Sequence, residues 1–204
     1  MKPHGSYLYN AQFADKLADA FDRHQSDKAS LYAYHEVYSH LLSSRKIESF
    51  LKIGLFSDDA EPKTDLHVWA DSFTNTQIYG ADWRVDLLFR TARCKTYYVD
   101  PGAPESFDGL KKYMPKKLDV ILDDASHILE KTITTFEQMW ERIADGGVYV
   151  IQSILRHHYS EPCWQQNVED LDKYFSSTGL NYEIFSTSAI RKCVDSVVLA
   201  VYKP

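Results

Sequence analysis

The sequence contains no CxxC pair and no His/Cys spacing of the kind that holds zinc. Its three cysteines, Cys94, Cys163 and Cys193, lie far apart. An odd count with no secretory leader is what reduced thiols in a cytoplasmic protein would give. Met1-Lys2-Pro3-His4-Gly5 lacks an apolar signal core. No apolar run is long enough to span a bilayer, so no membrane partner is expected. Basic charge is also scarce. With 23 Lys and Arg against 29 Asp and Glu, the formal net charge is −6, which argues against a nucleic-acid-binding surface. Internal repeats and low-complexity tracts are absent as well, which excludes solenoid and linker architectures. What is present is ordinary globular material: 44% hydrophobic and 25% charged residues in 204, most simply one domain. Aromatics are plentiful, with 14 Tyr. Tyr suits interfaces and sugar-like ligands, and equally the half-buried rim of a core.

The most informative stretch is Leu118-Asp-Val-Ile-Leu-Asp-Asp-Ala-Ser-His127. An apolar run meets two carboxylates and, three residues after the second, an imidazole. A helical stripe follows on Leu129, Ile133, Phe136, Trp140 and Ile143. Asp145-Gly146-Gly147 then makes a tight turn into a second apolar run, Val148 to Leu155. The pattern is strand, loaded turn, helix, turn, strand. In open α/β sheets, ligands sit outside the carboxyl ends of the strands. Asp123, Asp124 and His127 would stand there. Taken alone, the two aspartates are equally compatible with capping the next helix, and His127 with a backbone hydrogen bond.

Elsewhere, Phe13, Leu17 and Phe21 recur at helical spacing, as do Leu31, Tyr34, Tyr38 and Leu41. These are two N-terminal helices with a polar break at His24 to Lys28, and Ser26 or Asp27 is a candidate cap for the second. Strands are expected at Phe50 to Phe56, Gln77 to Ala81, Lys95 to Val99, Val120 to Leu122, Val148 to Ile154, Tyr182 to Phe185 and Ser196 to Tyr202. A polar loop at Ser57 to Lys63 leads to a short helix marked by Leu66, Trp69, Ala70 and Phe73. Further helices are expected at Phe107 to Tyr113 and around Val168, Leu171, Tyr174 and Phe175, the latter closed near Gly179. Alternating strands and helices imply a mostly parallel sheet covered on both faces. The short Ser186 to Asp195 link forces the last two strands to pair antiparallel.

In this order and spacing the segments resemble the class I S-adenosylmethionine-dependent methyltransferases, and among them small bacterial sugar and macrolide-sugar O-methyltransferases. The resemblance runs from about Ser26 to Ile154. It rests on Ser26-Asp27-Lys28 followed by Tyr34 and Tyr38, on Trp69 to Asp82 ending Gln-Ile-Tyr-Gly-Ala-Asp, and on Lys95 to Asp100. It also rests on Asp123-Asp124-Ala125-Ser126-His127 and on Gly146 to Ile151. It implies a three-layer Rossmann-like sandwich with a seven-stranded sheet and a closing antiparallel hairpin. Residues 1–46 would form a helical lid on an α/β core of residues 47–204. It implies cofactor contacts at Gly54, Asp82, Trp83, Asp100 and Asp123, with Asp82 on the ribose and Asp100 near the adenine. His127 would be the general base, Asp124 a metal ligand or substrate-orienting group, and Tyr34 and Tyr38 part of a substrate lid. The substrate would be a small molecule or glycan bearing a hydroxyl. Separately, the tyrosine content and the N-terminal helices are compatible with a homodimer.

Several positions depart from the family's pattern. The first strand ends Lys52-Ile53-Gly54-Leu55-Phe56 in place of Glu-x-Gly-x-Gly, so a lysine stands where an acid would face the cofactor's ammonium. Lys52 points to solvent instead if the strand register is shifted by one. The loop Asp58 to Lys63 has no glycine. Gln152-Ser153 replaces the Glu-Asp pair that holds a divalent cation, and magnesium favours carboxylate oxygens. His157 and His158 are adjacent and poorly placed to replace that pair. The expectation is therefore an S-adenosylmethionine-dependent O-methyltransferase without a metal. The alternative is an inactive or repurposed binding protein on the same scaffold.

Overall fold

A computed structural model describes residues 1–55, 64–126, 128–152, 154, 161–187 and 197–204. Among these residues, seven strands form one sheet: β1 (Ser49–Ile53), β2 (Gln77–Asp82), β3 (Cys94–Tyr98), β4 (Leu118–Asp123), β5 (Ile143–Gln152), β6 (Asn181–Ser186) and β7 (Val197–Tyr202). Their order is β3-β2-β1-β4-β5-β7-β6. The first five are parallel, and β7 runs antiparallel to both β5 and β6. Six helices cover the sheet: α1 (Ala11–Arg23), α2 (Tyr34–Leu42), α3 (Thr64–Ser72), α4 (Ser106–Tyr113), α5 (Leu129–Met139) and α6 (Glu161–Thr178).

Strand side chains alternate between faces, and the buried strand residues divide accordingly. Phe50, Ile78, Val120, Leu122 and Val150 pack with Phe21, Tyr38 and Trp69 from α1–α3. Leu51, Ile53, Ile121, Tyr149 and Ile151 pack with Phe107, Phe136 and Phe175 from α4–α6. The aromatic content is largely core: Trp69 stacks on Phe50 at 4.7 Å and meets the edge of Tyr38 at 5.0 Å. The architecture is the expected three-layer α/β/α sandwich with a mostly parallel sheet and a C-terminal antiparallel pair.

The local chemistry changes several boundaries. Helix α2 begins at Tyr34, because Ala33 sits in the left-handed region at φ 55° and breaks the helix that Leu31 would have joined. Ser26 is no cap; its hydroxyl donates to Asp65 Oδ1 at 3.1 Å. Helix α5 ends at Met139, and a 3-10 turn at Trp140–Arg142 leads out of it. Ile143 is therefore the first residue of β5, opposite Leu118, and not the end of the helical stripe. Asp145-Gly146-Gly147 lies within β5. The register jumps there from Leu118 opposite Ile143 to Val120 opposite Val148, and Gly146 takes a positive φ of 74° in the bulge.

The N-terminal segment is part of the core. Tyr34 and Tyr38 are buried, as are Leu17, Phe21, Val37 and Leu41. Lys2 pairs with the edge strand β6, its N–H donating to Ile184 O at 2.6 Å while its carbonyl accepts from Ser186 N at 2.8 Å. No helix among the described residues is long and apolar enough to cross a membrane. Phe56, Ser57 to Lys63, His127, Ser153, Leu155, His157, His158 and Cys193 lie outside the described residues, as does the side chain of Cys163.

Candidate active site

The strand order reverses between β1 and β4, a switch point at which ligands bind in the crevice outside the carboxyl ends of the strands. Gly54 follows β1 there with φ 91°, a backbone state open to glycine. A Cβ on Gly54 would lie 2.2 Å from the Asp124 carbonyl oxygen. The glycine is thus required first by the β4 turn packed against it. Asp124 N–H donates to Ile53 O at 2.9 Å, extending the strand pairing into that turn.

A cleft opens beside Gly54. It is lined by Ile53, Gly54, Asp82, Trp83, Val99, Pro101 and Ala125, and its volume is about 10 Å³. That is about the room one water molecule needs. Trp83 is the exposed wall, with 60% of its surface in solvent. Asp82 is held firmly at the end of β2. Its Oδ2 accepts from Leu55 N at 2.6 Å and its Oδ1 from Arg84 N at 2.8 Å. A carboxylate has about four acceptor sites, so capacity remains for ribose hydroxyls. Asp100 sits between the cleft residues Val99 and Pro101, with Oδ1 accepting from Gly102 N at 2.7 Å. These positions fit a nucleoside held by carboxylates and an aromatic face.

Asp123 is not among the residues that line this cleft. Its side chain turns into the α4–α6 layer, where Tyr149 donates its hydroxyl to Oδ2 at 3.0 Å and Ala125 N–H donates to Oδ1 at 3.2 Å. Burial lifts its carboxyl from 3.8 to about 7. Asp124 pushes the same way, while Ala125, Tyr149 and Lys52 oppose the shift.

Asp124 turns the other way, into a buried cluster of charges on the α1–α3 side. Its Oδ2 accepts from Lys28 Nζ at 2.8 Å and from Lys52 Nζ at 3.0 Å. Asp65, in the first turn of α3, lies 3.4 Å and 3.5 Å from the same two ammonium groups. Lys52 Nζ also donates to the Gly54 carbonyl. Lys52 is 1% exposed and on the same face as Phe50, so it points into the core layer and not into solvent. Tyr38 packs beside this cluster. Burial, and then Asp124, Tyr34 and Asp65, hold its hydroxyl well above the usual phenol range. That hydroxyl has no hydrogen-bond partner among the described residues. Lys28 lies 5.9 Å from the Tyr34 ring centre. Tyr34 and Tyr38 therefore border the charged cluster from within the core.

Among the described residues, the carboxylate expected to hold a divalent cation is already paired. Asp124, the one carboxylate left from the expected metal set, is occupied by two ammonium groups, and residue 152 is a neutral glutamine. No group of three or more His, Cys, Asp or Glu among the described residues is placed to hold a metal. Sequence reasoning missed Asp65, whose only local signal is an acid in the first turn of a helix. It also missed Tyr149, which reads as one more residue of an apolar strand.

No protein-family model matches the chain. A search of solved structures gives its fold directly. The chain superposes on MycE methyltransferase from the mycinamycin biosynthetic pathway, solved with Mg, SAH and mycinamycin VI, with a TM-score of 0.72 at 20% identity. That match covers 92% of this chain and 54% of MycE. The chain has the fold of the class I methyltransferases. The O-methyltransferase from Bacillus cereus, solved with SAH, shares this methyltransferase fold at nearly full length. Its TM-score is 0.61 at 12% identity, covering 96% of this chain and 92% of that one. In sequence the chain is similar to the 8-demethyl-8-alpha-L-rhamnosyl tetracenomycin-C 2'-O-methyltransferase of Streptomyces olivaceus. The two are 28% identical over 158 residues, 76% of this chain and 41% of the relative. The chain thus spans less than half of that relative and about half of MycE.

Proposed function

We propose that the protein is an S-adenosylmethionine-dependent O-methyltransferase acting on a hydroxyl of a polar small molecule or glycan, without a metal ion. The observation that carries this reading is the cleft at the β1/β4 crossover. It combines Asp82 at the end of β2, the exposed Trp83 and the Gly54 turn, in a chain similar to a sugar O-methyltransferase. Asp82 would accept hydrogen bonds from ribose hydroxyls. Trp83 would cover one face of the adenine, with Asp100 at its edge. S-adenosylmethionine, when bound, supplies a methyl group on a sulfonium. The substrate oxygen would accept that methyl as the sulfonium leaves as a neutral thioether, and His127 would take the hydroxyl proton. An imidazole titrates near neutrality, which suits a general base. Placement of the hydroxyl in line with the methyl supplies much of the rate.

His127→Ala tests this. Methyl transfer to a glycosylated acceptor should fall about a hundredfold or more, with affinity for S-adenosylhomocysteine retained. Unchanged turnover would remove His127 from the mechanism.

Two observations favour a second reading, a binding protein built on the same scaffold. Lys52 sits in a buried ion cluster where the family's pattern has an acid, and the neighbouring cleft is narrow. Failure to bind either S-adenosylmethionine or S-adenosylhomocysteine would support it.

A further inference from the structure

Asp124 stands at the carboxyl end of β4, beside the cleft, where a carboxylate could hold a cation. Two cations are already there. Lys28 and Lys52 approach one Asp124 oxygen at 2.8 Å and 3.0 Å and reach Asp65 as well. None of the four side chains is more than 10% exposed. Among the described residues, two ammonium groups of the cluster balance two carboxylates. Buried charges persist only when paired. A dication against Asp124 would leave an ammonium displaced or facing new positive charge in a poorly screened interior. Lys52 also cannot swing aside freely. It donates to the Gly54 carbonyl, and the Gly54 turn is wedged against the Asp124 backbone. Magnesium, moreover, needs oxygen ligands in near-octahedral array, and here Asp124 Oδ2 already accepts from two ammonium groups.

We propose that Lys28 and Lys52 are the resident cations of this site. They hold Asp124 and Asp65 in place of a divalent metal, and their removal would uncover a two-carboxylate metal site. Lys52 is a positioning residue, since it acts on Asp124 and on the Gly54 turn. The inference rests on the placement of Asp124 by the cleft, and on the methyltransferase reading only for the choice of ion.

The test is a manganese titration of the full ¹⁵N-labelled chain, following the amide signals of Gly54, Asp124 and Ala125 by NMR. Bound Mn²⁺ erases signals close to it. In the wild type, equimolar Mn²⁺ should leave these signals intact. In the Lys28→Met/Lys52→Met double variant they should be lost, and Mn²⁺ should raise the melting temperature. Selective loss of the three signals in the wild type would overturn the proposal. So would a folded double variant whose signals persist. If the double variant does not fold, the wild-type titration decides. Calorimetry with S-adenosylhomocysteine on the same sample keeps the two readings apart. No binding, with the signals intact, would sink the methyltransferase reading and leave this one standing.

Discussion

Lys52→Met is the sharpest perturbation of this structure. The substitution keeps most of the side-chain volume and removes the ammonium. Asp124 and Asp65, both nearly buried, then keep Lys28 as the ammonium they share among the described residues, and the Gly54 carbonyl loses a donor. Breaking a buried ion pair by removing one partner costs about 3–5 kcal/mol, because a charge is left uncompensated. A chain of this size loses roughly 2–4 °C of melting temperature per kcal/mol, so the variant should melt about 6–20 °C below the wild type. Thermal unfolding followed by circular dichroism at neutral pH reads this directly. The double variant Lys52→Met/Asp124→Leu removes one charge of each sign. It should recover part of the loss, with a coupling energy of about 0.5–3 kcal/mol. A single variant within about 0.5 kcal/mol of the wild type, the usual range for a surface change, would refute the buried cluster.

Four other expectations follow from the same geometry. Gly54→Ala places a Cβ 2.2 Å from the Asp124 carbonyl oxygen at φ 91°; left-handed strain and overlap together should destabilise by about 2–5 kcal/mol, readable as a lower melting temperature. Asp123 binds its proton more tightly folded (about 7) than at its ordinary 3.8, so its contribution to stability is full below pH 3.8 and is lost as pH rises through about 7. Asp123→Asn should flatten the decline in stability across that window, and an unchanged pH profile would remove Asp123 as its source. Asp82→Asn should weaken S-adenosylhomocysteine binding roughly ten- to a hundredfold by removing a charged acceptor. Trp83→Ala should weaken it without lowering the melting temperature, since Trp83 is 60% exposed.

The fold was legible where local pattern and tertiary packing agree. Apolar runs such as Val120 to Leu122 became strands, Gly179 ended α6 with a positive φ, and the short link after Ser186 announced the antiparallel pair. Legibility failed where one residue broke a pattern that its neighbours continued. Ala33 in a left-handed state ended the helical reading of Leu31, and the bulge at Gly146 absorbed what looked like a turn. In the candidate site, Asp82 and Gly54 line the cleft because each stands at the end of a strand in an ordered series. The ion cluster was not found. Lys28 and Asp124 are 96 positions apart, and only the crossing of β1, β4 and α3 brings Lys52 and Asp65 to them. The sequence marked Lys52 as a reversed charge, but the partners that make it stable are not a pattern in one dimension. Asp123 misled for a related reason. Adjacent strand-end residues point to opposite faces, so the two aspartates part, one to Tyr149 and one to the lysines.

The most direct measurement is calorimetric titration of the purified protein with S-adenosylhomocysteine, once in magnesium and once in chelator. The account predicts saturable binding of one ligand per chain, equal in both conditions, and weakened in Asp82→Asn. Absence of binding, or binding that requires magnesium, would contradict it.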